Sequence, residues 1–206
     1  DFVNMVKVHK VGYDFSTVTA DSLADTIAWA AKTHAPGGFE SICLACHGPP
    51  GTATEAASAP FKWNIGANLA ISDPASFEDR TNGVRKVMFA LAKGVRPGGR
   101  VDLLACALLK REEGRRLFAE IERDTKTNFA ASDDLSGNPA NPDANWIMES
   151  DDIDIKDFYF YADRLEAFDG TFNTAEEAAA KTATKKAEEA LRDAEVRCEG
   201  LRSELA

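Results

Sequence analysis

Hydrophobic and polar residues alternate with two different periods along the first part of the chain. In residues 5–13 the β-branched residues alternate with polar ones, which predicts a strand. Residues 19–34 carry apolar positions at helical spacing, with Thr19 or Asp21 as the cap, which predicts a helix. The glycine-containing stretch 35–38 is expected to end that helix.

Two nearly continuous apolar runs follow, and they have a different meaning from the alternating segment. They are "FESICLACHG" at 39–48 and "RVDLLACALL" at 100–109. A strand that is apolar on nearly every residue is covered on both faces, as happens in a parallel sheet. The two runs therefore predict adjacent strands at the centre of the fold.

The intervening segments supply the connections between these strands. A short strand is predicted at 61–66 and a helix with one apolar stripe at 83–94. After the second run, 117–121 lies in a predicted helix, and 128–132 in a predicted short strand. Strands and helices thus alternate, which predicts an α/β fold with a largely parallel sheet and helices on both faces.

Each apolar run has a residue with a reactive side chain at or near its end. The first ends on His47 and Gly48, and the second carries Cys106 near its end. Sites in open α/β sheets form at the carboxyl ends of the strands, so parallel neighbours would bring His47 and Cys106 to one edge. An imidazole lowers the pKa of a nearby thiol and supplies the proton that a leaving amine needs. The sequence predicts a nucleophile and its base here, although a cysteine in an apolar run is also an ordinary core residue.

Four motifs occur in a fixed order between residues 47 and 150, within a resemblance that covers roughly residues 5–155. They are "HGPPG" at 47–51, "GGRVDLLAC" at 98–106, "FAASDDLSGN" at 129–138 and "NWIMES" at 145–150. On these motifs the chain resembles the bacterial domain of unknown function 4347 (DUF4347), which occurs near the front of large secreted repeat proteins and adhesins. That family is in turn similar to the caspase-like cysteine peptidases.

The resemblance implies a caspase-like three-layer sandwich that acts on a polypeptide substrate or a neighbouring protein segment. It implies that His47 and Cys106 form the catalytic dyad, with the Gly48 N–H in the oxyanion hole, and it favours a secreted or cell-surface location. Cys106 departs from the family pattern, because alanines flank it where the family has glycine before and a polar residue after. The alternative is therefore a non-catalytic structural or interaction module with the same fold.

Asp133 and Asp134 are the candidate substrate-binding residues. By the resemblance, specificity lies near the strand that follows the cysteine and its helix, where a desolvated carboxylate favours a cationic side chain. The same stretch is rich in Asp, Ser, Gly, Asn and Pro, and the sequence favours the simpler interpretation of a solvated turn. Calcium binding also stays open, since the loop is acidic, although its spacing does not fit a calcium loop.

Composition removes several classes of function. A formal net charge of -10 and a pI near 4.8 argue against a nucleic-acid partner. No apolar run approaches the roughly 18 residues that span a bilayer. Four cysteines and three histidines predict no structural zinc, and no cofactor is expected.

Cys43 and Cys46 are interpreted as core residues that face away from each other. The chain begins at Asp1 without an initiator methionine, from which we expect a fragment of a larger protein.

The end of the chain differs in composition from the rest. After an α/β domain at 1–157, the aromatic residues of 158–173 predict a linker docked on that domain. Residues 174–206 are rich in Ala, Glu, Lys and Arg and carry a heptad seam, which predicts a long helix. That helix would form a homo-oligomer, bind a partner helix or pack back on the domain. Cys198 on the seam would be positioned for an interchain disulfide under oxidising conditions.

Overall fold

The architecture comes from a computed structural model, which describes residues 5–49, 60–138, 144–166 and 168. The helices are α1 (Ala20–His34), α2 (Gly83–Gly94), α3 (Glu112–Thr125), α4 (Lys156–Tyr159) and α5 (Ala162–Leu165), with a 3₁₀ helix at Pro74–Glu78. The strands are β1 (Phe39–Ala45), β2 (Trp63–Gly66), β3 (Leu69–Ile71), β4 (Val95–Leu104), β5 (Asn128–Ala131), β6 (Leu135–Ser136), β7 (Ala144–Asn145), β8 (Ile147–Met148) and β9 (Ile153–Asp154).

A parallel sheet with the strand order β1-β4-β5 forms the centre of the fold. Ala45 pairs with Leu104 at the carboxyl end of β1, and Leu103 pairs with Ala131 at the end of β5. Both crossovers, through α2 and through α3, move in the same direction across the sheet. Since such crossovers are right-handed, both helices lie on one face. The parallel sheet expected from the two apolar runs is confirmed.

The larger core lies between the sheet and the three long helices. Leu44, Leu103 and Phe129 reach it from the strands, and Leu23 and Leu117 reach it from α1 and α3. All four residues of the stripe predicted on α2 are buried there, which confirms that part of the sequence analysis: Val84, Val87, Met88 and Leu91. The hairpin of β2 and β3 also contributes to this core, and β2 confirms the predicted short strand.

The opposite face of the sheet is covered by a second, smaller core. Leu104 and Ala130 point into it from the sheet, and Trp146, Met148 and Tyr159 pack on them. This layer is built from two-residue strands and four-residue helices. Helices on both faces were expected, but the three long helices all pack into the first core. The second face is therefore covered mainly by irregular chain.

Two predicted strands differ from the structure. The prediction of a strand at 5–13 is wrong. Within this segment only Val6 forms a β-bridge, with Phe160, and the side chains of Val8 and Val11 are exposed. Alternation of apolar and polar residues indicates that one face can be buried, but a strand also needs a hydrogen-bonded neighbour. The main chain bonds to residues 159–161 only as far as Lys7. The second apolar run also ends earlier than predicted, at Leu104.

The start of α1 is explained by local hydrogen bonds. Thr19 is the cap of α1, since its hydroxyl accepts from the Ser22 N–H while the Ser22 hydroxyl accepts from the Thr19 N–H. None of the described helices is long and apolar enough to cross a membrane.

The last part of the chain is only partly described. Tyr159 and Phe160, from the predicted aromatic linker, are buried in the second core, and Phe168 packs on the Trp146 ring at 5.9 Å between centroids. The predicted helix at 174–206 and its Cys198 lie outside the described residues.

Candidate active site

The carboxyl ends of β1 and β4 meet at one edge of the sheet. The Cys46 N–H donates to the Leu104 carbonyl at 3.0 Å, which continues the pairing of the two strands by one residue. Beyond this bond the first strand runs into His47 and Gly48, and the second runs into Cys106. The two predicted motifs therefore lie side by side.

Gly48 packs directly on the main chain of Cys106. A Cβ atom added at Gly48 would lie 1.9 Å from the Cys106 carbonyl oxygen and 2.8 Å from its carbon. No side chain fits at that distance, so only glycine permits this approach of the two strand ends. The histidine-glycine pair in the sequence is thus explained in part by packing.

His47 is the exposed member of the group. It lies between the buried residues Cys46 and Gly48, so its neighbours fix the main chain while its side chain meets solvent. An imidazole in that position is accessible to a bound molecule at this edge of the sheet.

Cys106 lies in the turn that connects β4 to α3, and its side chain is fully buried. Its sulphur accepts a hydrogen bond from the Ser136 N–H at 3.3 Å and donates to the Ser136 carbonyl at 3.4 Å. The next residue, Ala107, has a φ of 52°, a left-handed conformation that is uncommon for alanine. The turn is therefore held in an unusual conformation beside the thiol.

The two other described cysteines belong to the two cores. Cys46 is buried against the long helices, where burial raises the pKa of its thiol to about 12, partly offset by the Trp63 indole. Cys43 packs on the second core, and burial, followed by the charge of Asp102, raises the pKa of its thiol. The two residues face opposite sides of the sheet, which confirms their interpretation as core residues.

The chain after β5 brings several polar groups next to the Cys106 turn. The Asp134 carbonyl accepts from the Ala107 N–H at 2.5 Å. The Asn145 Nδ2 donates to the Asp134 carboxylate at 2.6 Å and to the Glu149 carboxylate at 3.3 Å. Burial, followed by the Glu149 charge, raises the pKa of Asp134 to about 6, against the opposing hydrogen bonds from Ser132 and Asn145.

Of the two predicted substrate-binding residues, only Asp134 contacts the Cys106 turn. Asp133 is exposed, and its N–H donates to the Glu149 carboxylate at 3.1 Å. The sequence predicted no role for Ser136, Asn145 or Glu149. Asn145 and Glu149 belong to "NWIMES", so the motif itself was the available signal.

Asp102 is another carboxylate with unusual surroundings, and it lies on the face of the sheet that the second core covers. Asp102 is fully buried, and Arg100 donates to it from Nε at 2.6 Å and from Nη2 at 3.1 Å. The Tyr159 hydroxyl donates to the same carboxylate, and burial, followed by the neighbouring Cys43 and Asp102, raises the pKa of that phenol. These contacts fasten α4 to the sheet. In the sequence, the feature that could have indicated this network is Asp102, a charged residue inside an otherwise apolar run.

Comparison with known proteins gives one result. No curated protein and no solved structure matches the chain significantly. The sequence model of a family described as a domain of unknown function (DUF4347) matches residues 6–172. Because that match covers most of the sequence, the chain belongs to the DUF4347 family.

Proposed function

We propose that this protein is a cysteine endopeptidase of the caspase-like type, acting on a polypeptide or on a segment of its own larger chain. Cys106 attacks the peptide carbonyl, and His47 takes the thiol proton and returns it to the leaving amine. The acyl group passes from the leaving amine to sulphur, and water then releases it as a carboxylic acid.

The observation that carries this proposal is the contact between Gly48 and the main chain of Cys106. The exposed His47 directly precedes Gly48 in the chain, which supports its pairing with the Cys106 thiol. The N–H groups of Gly48 and Cys106 are the proposed donors to the oxyanion, a role that requires backbone held rigidly at this edge.

Asp134 is the proposed contact for a basic side chain of the substrate, with Asp133 exposed at the rim. The Asp134 carbonyl is bonded to Ala107, the residue after the nucleophile, so its carboxylate lies within the same group of residues. The neighbouring Glu149 adds a second negative charge, which favours a cationic partner.

The test is labelling of the full chain by an electrophilic peptide probe with a basic residue at the reactive end. We expect an adduct on Cys106 that Cys106→Ala abolishes, and labelling slowed about 100-fold or more by His47→Ala. Cys46→Ala is the matched control, because it removes a neighbouring thiol that belongs to the core. An unlabelled Cys106, together with equal peptide cleavage by wild type and Cys106→Ala, would refute the proposal.

A second candidate function is a non-catalytic structural or interaction module that oligomerises through 174–206. The complete burial of Cys106 favours it, since a thiol without access to solvent does not meet a substrate. This candidate predicts an oligomer of the full chain that dissociates when Leu191 and Leu201 are both replaced by Glu. A monomer in sedimentation before and after the replacement contradicts it.

A further inference from the structure

Residues 132–136, here called the strap, run antiparallel to the turn that carries Cys106. The Leu109 N–H donates to the Ser132 carbonyl at 3.0 Å, and the Ala107 N–H donates to the Asp134 carbonyl at 2.5 Å. The third contact is made by the thiol itself, which bonds both to the N–H and to the carbonyl of Ser136. Alternate residues of the strap thus contact the turn along its length.

The last of these contacts occupies the space that a substrate needs. A reacting carbonyl carbon must come within about 3–3.5 Å of the attacking atom. The Ser136 main chain already lies 3.3 Å and 3.4 Å from the Cys106 sulphur, and the residue has no exposed surface. A closed strap and a bound substrate therefore exclude each other.

The strap is fastened from the side by Asn145. Its Nδ2 bonds both the Asp134 carboxylate of the strap and the Glu149 carboxylate, and its Oδ1 accepts from the Ile147 N–H at 2.6 Å. The Asn145 carbonyl also accepts from the Gly137 N–H at 2.8 Å. One amide side chain thus separates two carboxylates whose repulsion favours an open strap.

The strap also contains a group that its closed position leaves unsatisfied. The Ser136 side chain is fully buried, and its hydroxyl finds no hydrogen-bond partner among the described residues. A buried polar group without a partner loses its hydration, which destabilises the closed position relative to an open one. Two effects therefore oppose the closed position of the strap: the repulsion between the Asp134 and Glu149 carboxylates, and the buried Ser136 hydroxyl.

We propose that the strap is an autoinhibitory cover for the Cys106 thiol and that Asn145 is the latch that keeps it closed. The cover regulates the site described above, so its role in catalysis rests on the proposed peptidase function. Opening moves Ser136 away from the sulphur and exposes the thiol beside His47. A ligand or neighbouring segment that displaces the Ser136 main chain from the Cys106 sulphur would activate the site, while Asp134 stays bonded to Ala107.

The test measures thiol accessibility and does not require activity. The full chain is treated with iodoacetamide at one pH, and alkylation of Cys106 is followed by peptide mass spectrometry. We expect Asn145→Ala to react about tenfold faster than wild type, because all three hydrogen bonds of the Asn145 side chain are lost. Ser136→Ala should react several-fold more slowly, since it removes the unsatisfied hydroxyl of the closed strap. Asn128→Ala, an exposed amide at the start of β5, is the matched control.

Two results overturn the cover. One is a Cys106 in wild type that reacts as fast as in urea-unfolded protein, and the other is equal rates for Asn145→Ala and Asn128→Ala. If Asn145→Ala does not fold by circular dichroism, the comparison of Ser136→Ala with wild type decides. Alkylation rates in the expected order with no peptide cleavage by any variant would support the cover and refute the peptidase.

Discussion

The fully buried Asp102 in the sheet and the partly buried Asp134 beyond β5 are two carboxylates with different surroundings. Asp102 is fully buried but receives two hydrogen bonds from Arg100 and one from Tyr159. Asp134 is less buried, yet Glu149 lies near it, and its described donors, Ser132 and Asn145, are neutral. The first carboxylate is compensated by a cation and belongs to the scaffold. The second is held beside a like charge, as is typical of groups that move or bind.

Replacing Asp102 gives the largest expected effect on this comparison. Asp102→Ala leaves Arg100 next to the buried core without its partner, and we expect a loss of about 3–5 kcal/mol in the free energy of unfolding. Urea denaturation followed by circular dichroism measures it. A loss below about 1 kcal/mol, the size of an exposed ion pair, would mean that the scaffold does not depend on this charge.

Tyr159→Phe tests the same network with a smaller change. It removes one hydrogen bond to a charged acceptor, while Arg100 stays in place, so we expect a loss of about 2 kcal/mol. Tyr161→Phe is the matched control, because Tyr161 is largely exposed. Equal stability of the two variants would contradict the proposed fastening of α4 to the sheet.

Ser136→Ala is expected to change stability in the opposite direction. The hydroxyl is buried without a partner, so its removal should raise the free energy of unfolding by about 1 kcal/mol. The same denaturation experiment applies, with Ser150→Ala as control, since the Ser150 hydroxyl accepts from the Ala131 N–H at 3.0 Å. Destabilisation by Ser136→Ala would show that its hydroxyl has a partner in solution.

The smallest expected effect is the pH dependence that Asp134 contributes. Its pKa in the folded protein is raised to about 6, so the folded state binds the proton more tightly than the unfolded state. The ionised Asp134 carboxylate lowers the free energy of unfolding. This destabilisation is absent below the unfolded pKa of about 4, grows as the pH rises towards 6, and is constant above that. Asp134→Asn should therefore gain stability relative to wild type over that window, by less than about 1 kcal/mol after solvent screening. Denaturation at several pH values measures the difference, and exposed Asp25→Asn controls for loss of charge. A difference that is the same at every pH would contradict the raised pKa.

The sequence predicted the parts of the fold that depend on local periodicity. The apolar run at 39–48 and the stripe on α2 each require one face or two faces to be buried, whatever their neighbours are. The strand prediction for 5–13 was wrong because alternation of apolar and polar residues does not show whether a neighbouring strand is present. Cover for the second face and docking of the aromatic segment were predicted, but the short strands and helices of two to four residues that build the second core were not.

The candidate site divides in the same way. The approach of Gly48 to Cys106 agrees with the expectation that the carboxyl ends of parallel strands meet at one edge, and the catalytic roles of His47 and Cys106 stay a prediction. Cys106 and Ser136 are 30 residues apart, and Asn145 and Asp134 are 11 residues apart. All four residues lie in the motifs quoted above, but no spacing rule indicates which of them touch. The pairing therefore follows from tertiary structure.

The approach of Gly48 to Cys106 also acts as a mechanical stop. Carbonyl oxygen against α-carbon is a contact between two main chains, so no change of rotamer relieves it. The two strand ends can separate but cannot come closer, whatever side chains pack around them. The distance between the ends of β1 and β4 is therefore set by main-chain size, and core substitutions elsewhere should leave its lower limit unchanged.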